Sequence, residues 1–192
     1  MSNRIELEKG FEINSEYDKI LEKIKEKDFK FVSNIVEEDT YFSDKDLDFV
    51  KNRTCLRTRK TNEEFLELTY KQKSTEETEK YGKKEVNISL DVKDYDDIKF
   101  VIKQLGYIEY VSFKKNRATY TREFDGLIHN IMIDELEGIG KFIELEILSD
   151  SEDKEKMEKE LQKFVEEFEC QNLTPKELPY RDIAKKYYDE IK

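Results

Sequence analysis

Apolar and polar positions alternate along most of this chain, and where the alternation stops a helical period replaces it. The runs Ile5-Glu6-Leu7-Glu8 and Phe142-Ile143-Glu144-Leu145-Glu146-Ile147 carry the two-residue period of half-buried strands. Successive strand side chains point to opposite faces, so each glutamate pair shares one face, with Cα atoms roughly 6–7 Å apart. Leu7, Ile143, Leu145 and Ile147 take the other face. The same pattern predicts strands over residues 4–14, 32–42, 54–60, 65–73, 84–91, 107–122, 127–135 and 141–148. Between them, Tyr17, Ile20, Leu21 and Ile24 form the stripe of a helix over 15–28, with Ser15 as its N-cap. A second helix is predicted over 95–105, with Asp94 as cap and Gly106 as stop. A third, over 151–169, presents Met157, Leu161, Phe164, Val165 and Phe168 on one side. Pro175 and Pro179 interrupt the chain before a short terminal helix over 183–191. No repeat, low-complexity linker or composition shift marks a boundary, so a single domain over 1–192 is expected.

Amphipathic helices must bury their stripes, and the sheet offers one aliphatic face for them, which puts Leu7, Leu66, Leu68, Leu145 and Ile147 under helices. The charged parity of each strand is then left over, and it is sorted by sign. The first and last strands carry Glu6, Glu8, Glu144 and Glu146, whereas middle strands carry Arg57, Arg59, Lys71, Lys115 and Arg117. Two arrangements accommodate such a face. It is either the solvated side of a curved open sheet, or the inside of a closed barrel in which bases hold a polyanion and acids hold a hard cation. Sorting by strand, rather than interspersing signs, favours the barrel.

Composition narrows the partners. Of 192 residues, 42% are charged and 12% aromatic, a polar chain with enough rings to build a core. The net charge of −11 argues against duplex nucleic acid while leaving room for a local basic pocket that takes a small polyanion. No signal-peptide core opens the sequence and no apolar run reaches spanning length, so no membrane partner and a cytoplasmic location are expected. Cys55 and Cys170 form no metal or redox spacing and are read as reduced thiols, and His129, the single histidine, as incidental.

At this point the residues resemble a family. Glu6 and Glu8, then Asp39-Thr40-Tyr41-Phe42, Leu56-Arg57-Thr58-Arg59 and Leu68-Thr69-Tyr70-Lys71, look like successive motifs of the CYTH family. Lys115-Asn116-Arg117 and the run from Asp134-Glu135-Leu136-Glu137 through Gly140-Lys141-Phe142 to Glu146 continue them in order, and Leu178-Pro179-Tyr180-Arg181-Asp182-Ile183 resembles a closing segment. The family is named for class IV adenylyl cyclase and thiamine triphosphatase, and its members are also called triphosphate tunnel metalloenzymes. The resemblance implies an α+β fold, an eight-stranded antiparallel β-barrel tunnel with amphipathic helices packed outside. It also implies Glu6, Glu8, Asp134, Glu144 and Glu146 as ligands of Mg²⁺ or Mn²⁺, an all-oxygen set poor for zinc. Arg57, Arg59, Lys71, Lys115 and Arg117 would bind the triphosphate, with ion pairs to the acids as the alternative role. Lys83 and Glu85 resemble a further basic and acidic pair.

One position departs from the pattern: the family's first motif runs Glu-x-Glu-x-Lys, and here the lysine position is Gly10. Either Lys9 reaches inward through a bulge or one phosphate-binding cation is missing. The expected activity is metal-dependent hydrolysis of inorganic tripolyphosphate, thiamine triphosphate or a nucleoside triphosphate. The alternatives are class IV adenylyl cyclisation of ATP to cyclic AMP and pyrophosphate, and a non-catalytic triphosphate or polyphosphate-binding module. A homodimer is the oligomer expected.

Overall fold

A computed structural model describes residues 5–14, 17–75, 84–149, 154–168 and 173–191. Its strands are β1 (Ile5–Ile13), β2 (Lys30–Ser43), β3 (Cys55–Thr61), β4 (Phe65–Lys71), β5 (Glu85–Leu90), β6 (Ile108–Phe124), β7 (Leu127–Leu136), β8 (Gly140–Ser149) and β9 (Leu173–Pro175). They form one sheet in the order β5-β4-β3-β2-β6-β7-β8-β1-β9. The α+β, antiparallel expectation holds, with two differences. The described strands number nine rather than eight, and β5 and β9 end the order, so the described sheet is not closed. The ninth strand, β9, is three residues long and contains Pro175, too short to leave a period in the sequence.

The chain folds as two compact units, residues 1–35 with 115–178, and residues 36–114 with 179–192. Two of the three boundaries fall within β2 and β6, and the third precedes the terminal helix. In the first unit, β1, β7 and β8 bury Leu145, Ile147, Ile143, Ile131 and Ile133 against two helices, Tyr17–Glu26 and Lys154–Phe168. The stripes on those helices are the ones the periodicity picks out: Ile20 and Ile24 on one, Met157, Leu161, Phe164, Val165 and Phe168 on the other. Phe164 stacks on Phe29 with ring centroids 5.7 Å apart and meets His129 edge-on at 5.0 Å. His129 is therefore a core residue on the helix-facing side, and burial together with the Arg122 charge pushes its pKa down.

In the second unit Phe42, Leu66, Ile102, Val111, Phe113, Tyr180 and Ala184 are buried. Helix Tyr95–Gln104 is entered through a 3-10 turn, Val92–Asp94, where the Asp91 carboxylate accepts from the Lys93 amide. The expected cap, Asp94, makes no side-chain cap bond, because the turn carries the chain into the helix one step earlier. Gly106 does stop that helix, at φ 96°, a left-handed conformation that glycine adopts without strain. The terminal helix spans Tyr180–Glu190, starting earlier than its hydrophobic period suggests because Pro179 presets its entry. Ser15, Lys83 and Cys170 lie outside the described residues. Among the described residues no helix is long and apolar enough to cross a membrane.

Candidate functional site

Register decides which charged side chains meet. In the first unit Glu8 lies opposite Glu146, and Gly10 opposite Glu144, across the β1–β8 ladder. Asn130 faces Glu146, and Met132 faces Glu144, across β7–β8. On the far side of β7, Arg117 of β6 is paired with Asp134. Cross-strand partners share a face, so Glu6, Glu8, Asp134, Glu144, Glu146, Lys115 and Arg117 all lie on the face opposite the apolar core.

On that face the five expected metal ligands divide into two groups. Carboxylate oxygens of Glu6, Glu8 and Glu146 approach within 4.8 Å of one another. Glu6 and Glu8 are exposed and Glu146 is half-buried, its Oε1 held by the Asn130 side-chain amide at 2.7 Å. Asp134 and Glu144 are buried and engaged by cations. Arg117 grips Asp134 with Nε at 2.6 Å and Nη2 at 2.5 Å, and its Nη2 also reaches Glu144 Oε2 at 2.6 Å. Lys115 approaches Asp134 at 3.6 Å, and Lys176 donates to Glu144 Oε1. Burial alone would raise the Glu144 carboxyl; Lys176 first, then Arg117, outweigh it and hold the group below its ordinary value.

The three-carboxylate group fits a hard divalent cation. Octahedral Mg²⁺ sits about 2.0–2.1 Å from each oxygen, which sets ligand oxygens about 3 Å apart in cis and about 4 Å in trans. Exposed glutamates close the remaining gap by rotamer changes. An all-oxygen donor set is poor for zinc, which prefers nitrogen and sulfur.

In the second unit the same alternation gathers Arg57, Arg59 and Lys71 on one face, but not as a purely basic wall. Asp39 of β2 lies opposite Arg59 and is clamped by it through Nε at 2.6 Å and Nη2 at 2.7 Å, while Glu37 takes Arg59 Nη1 at 2.9 Å. Burial would lower the Arg59 pKa, yet the Asp39 charge and hydrogen bonds raise it well above the ordinary guanidinium value. Arg57 sits 3.9 Å from both Asp39 and Glu67, and its Nε has no hydrogen-bond partner among the described residues. Lys71 pairs with Glu85 at 2.7 Å, in register across β4–β5. Sign sorting by strand overlooks Glu37, Asp39 and Glu67, which share this face and neutralise much of it.

Lys9 is not brought to the acidic group. The β1–β8 register runs unbroken through Lys9, with no bulge, and its ammonium reaches Gln162 of the Lys154–Phe168 helix at 3.2 Å. Two residues outside the expected site set matter instead. Lys176 follows β9 yet delivers its ammonium to Glu144, a contact set by long-range pairing. Arg181 is buried and donates to the carbonyls of Thr54 at 2.7 Å and Val50 at 3.2 Å, fixing the turn that feeds β3 and its two arginines. A cleft of about 800 Å³ lined by Phe49, Tyr70, Tyr107 and Asp48 lies on the Tyr70 side of β4. That is the face opposite Lys71, so the cleft contains none of the expected site residues despite its size.

Comparison with known proteins identifies the family and the fold. The model of the CYTH domain family matches residues 4–174. A protein of Methanocaldococcus jannaschii named "Putative adenylate cyclase" is 31% identical over 148 residues, covering 77% of this chain and 80% of that protein. A solved structure from Vibrio parahaemolyticus, described as a putative adenylate cyclase, superposes with a TM-score of 0.70 at 17% identity, covering 93% of this chain and 96% of the other. A Hippeastrum structure, described as a putative adenylyl cyclase that reveals a dominant triphosphatase activity, gives a TM-score of 0.64 at 16% identity, with 95% and 96% covered.

Proposed function

Because the chain belongs to the CYTH domain family, we propose that it is a divalent-metal-dependent enzyme acting on a triphosphate, and that it hydrolyses the terminal phosphoanhydride. The observation that carries this reading is the convergence of Glu6, Glu8 and Glu146 on the same face as a half-buried Arg117 clamp. Three carboxylates this close repel one another and favour a cation, while Arg117 and Lys115 are held where they can meet phosphate oxygens.

In this reading Glu6, Glu8 and Glu146 hold Mg²⁺ or Mn²⁺, with Asn130 orienting Glu146. The bound cation would neutralise phosphate charge and stabilise the charge that develops as the anhydride breaks. Asp134 and Glu144, the other two expected ligands, orient Arg117, Lys115 and Lys176 in the present arrangement. These cations bind phosphate oxygens; within the second unit, Arg57, Arg59 and Lys71 are the candidates for the same role. Arginines do so through paired N–H donors and lysines as point charges. Water attacks the terminal phosphorus, and the bridging P–O bond breaks with the shortened phosphate chain as leaving group. The proton given up by water passes to that leaving oxygen or to solvent, and orthophosphate is released. Positioning and charge stabilisation suffice for this step, and no recognition of a base or sugar is needed.

Cyclisation is the second reading, favoured by the name of the 31% identical relative. There the ribose 3′-hydroxyl of ATP attacks the α-phosphorus and pyrophosphate leaves. Incubation with tripolyphosphate, thiamine triphosphate and ATP, each with Mg²⁺ or Mn²⁺, separates the readings. Orthophosphate release is expected. Cyclic AMP with pyrophosphate would replace hydrolysis by cyclisation, and metal-dependent binding without any product would contradict both.

A further inference from the structure

Alternation on β1 places the next same-face position after Glu6 and Glu8 at residue 10, directly opposite Glu144. That position is glycine, and its backbone is not among the glycines that adopt positive φ. Conformation therefore does not call for glycine here; the space beside it is occupied by the end of the Lys176 side chain. A Cβ built on Gly10 would lie 2.6 Å from Lys176 Cε and 3.1 Å from Lys176 Nζ. Contacts under about 3 Å between such atoms do not occur without something moving.

The lysine side chain is fixed at both ends. At its base, the Lys176 amide donates to the Gly10 carbonyl at 2.8 Å, extending the β1–β9 ladder that pairs Phe11 with Pro175. At its tip, the ammonium pairs with Glu144, which Arg117 also engages. The chain thus crosses β1 through the gap left by the missing side chain and puts its charge on the acidic face, mostly buried.

We propose that Lys176 is a phosphate-binding residue of this site, admitted by Gly10, and that its ammonium passes from Glu144 to a phosphate oxygen when a triphosphate binds. The proposal rests on the triphosphate reading above. It assigns a cation from the residue that follows β9 to the position that a side chain on β1 would otherwise fill. An ammonium carries three donors on a flexible stem, so it exchanges one oxygen partner for another without moving the backbone. Gly10 and Lys176 then form one functional unit, and substitutions at the two positions are coupled rather than additive.

Equilibrium binding of tripolyphosphate and, separately, of Mn²⁺ tests this in wild type, Lys176→Ala, Gly10→Ala, the double Gly10→Ala/Lys176→Ala variant and the swap Gly10→Lys/Lys176→Ala. Lys176→Ala is expected to weaken tripolyphosphate by about tenfold or more, the loss of one charge-assisted contact, with Mn²⁺ affinity changed by less than about twofold. Gly10→Ala, whose methyl displaces the lysine, should show a similar loss, and the double variant should be no worse than Lys176→Ala. The swap, which returns an ammonium from β1, should recover most of the affinity. A merely structural role in pinning β9 would not be rescued by it. Tripolyphosphate affinity unchanged in Lys176→Ala, additive losses in the double variant, or no recovery in the swap overturns the assignment. Wild type that binds no triphosphate in the presence of metal overturns the triphosphate reading, and this assignment with it.

Discussion

At the scale of single residues, the carboxylates of the first unit differ in how they are held. Glu144 is buried, and its pKa is depressed because Lys176 and Arg117 outweigh the burial that would raise it. A depressed folded-state value means that the unfolded state binds the proton more readily. The stabilising contribution is therefore full above the unfolded value, about 4.3, and is lost as pH falls below it. Urea unfolding of wild type and Glu144→Gln across that range should show the variant less stable at neutral pH, with the gap narrowing as acid protonates Glu144. A gap that stays constant with pH would show that the Glu144 charge contributes nothing to stability. The alternation makes the faces of these residues legible from sequence, because parity alone assigns Glu6, Glu8, Glu144 and Glu146 to one side. Parity does not distinguish a carboxylate clamped by arginine from one left near other carboxylates. That distinction depends on register between β6, β7 and β8, which sets Arg117 opposite Asp134.

At the scale of elements, long periodic segments are the readable ones. The apolar stripe from Met157 to Phe168 is buried as its spacing requires, and the strands that carry the acids and the bases fall where alternation puts them. Short elements fixed by distant partners are not readable. Helix Asp48–Lys51 is four residues long, with no buried residue of its own, and β9 exists only through pairing with β1. The terminal helix, Tyr180–Glu190, has a structural task that the closing-segment resemblance alone does not define. Its Arg181 satisfies the carbonyls of Val50 and Thr54 and so holds the entry to β3. Replacing Arg181 by Met keeps most of the packing but leaves those carbonyls without their charged donor. A loss of about 1.5–3 kcal/mol is expected in urea unfolding, the range for hydrogen bonds to charged groups. A loss within experimental scatter would mean that the turn before β3 is held by other contacts.

For the molecule as a whole, a net charge of −11 is not spread evenly. Within each unit, arginines on a strand face are held by neighbouring acids, Arg59 by Asp39 and Glu37 in one, Arg117 by Asp134 and Glu144 in the other. Paired in this way, the arginines are kept rigid and charged at any accessible pH, the condition under which they meet phosphate without reorganising. Glu6, Glu8 and Glu146 are the carboxylates that a divalent cation would draw together. The central claim is thus that Glu6, Glu8 and Glu146 bind a divalent metal. Isothermal titration of Mn²⁺ into wild type, Glu8→Gln and Glu146→Gln tests it most directly, with unfolding followed in parallel to confirm intact folding. Saturable binding by wild type is expected, weakened about tenfold or more in each variant by loss of a ligand charge. Equal Mn²⁺ affinity in all three proteins, or no saturable binding by wild type, would contradict the account.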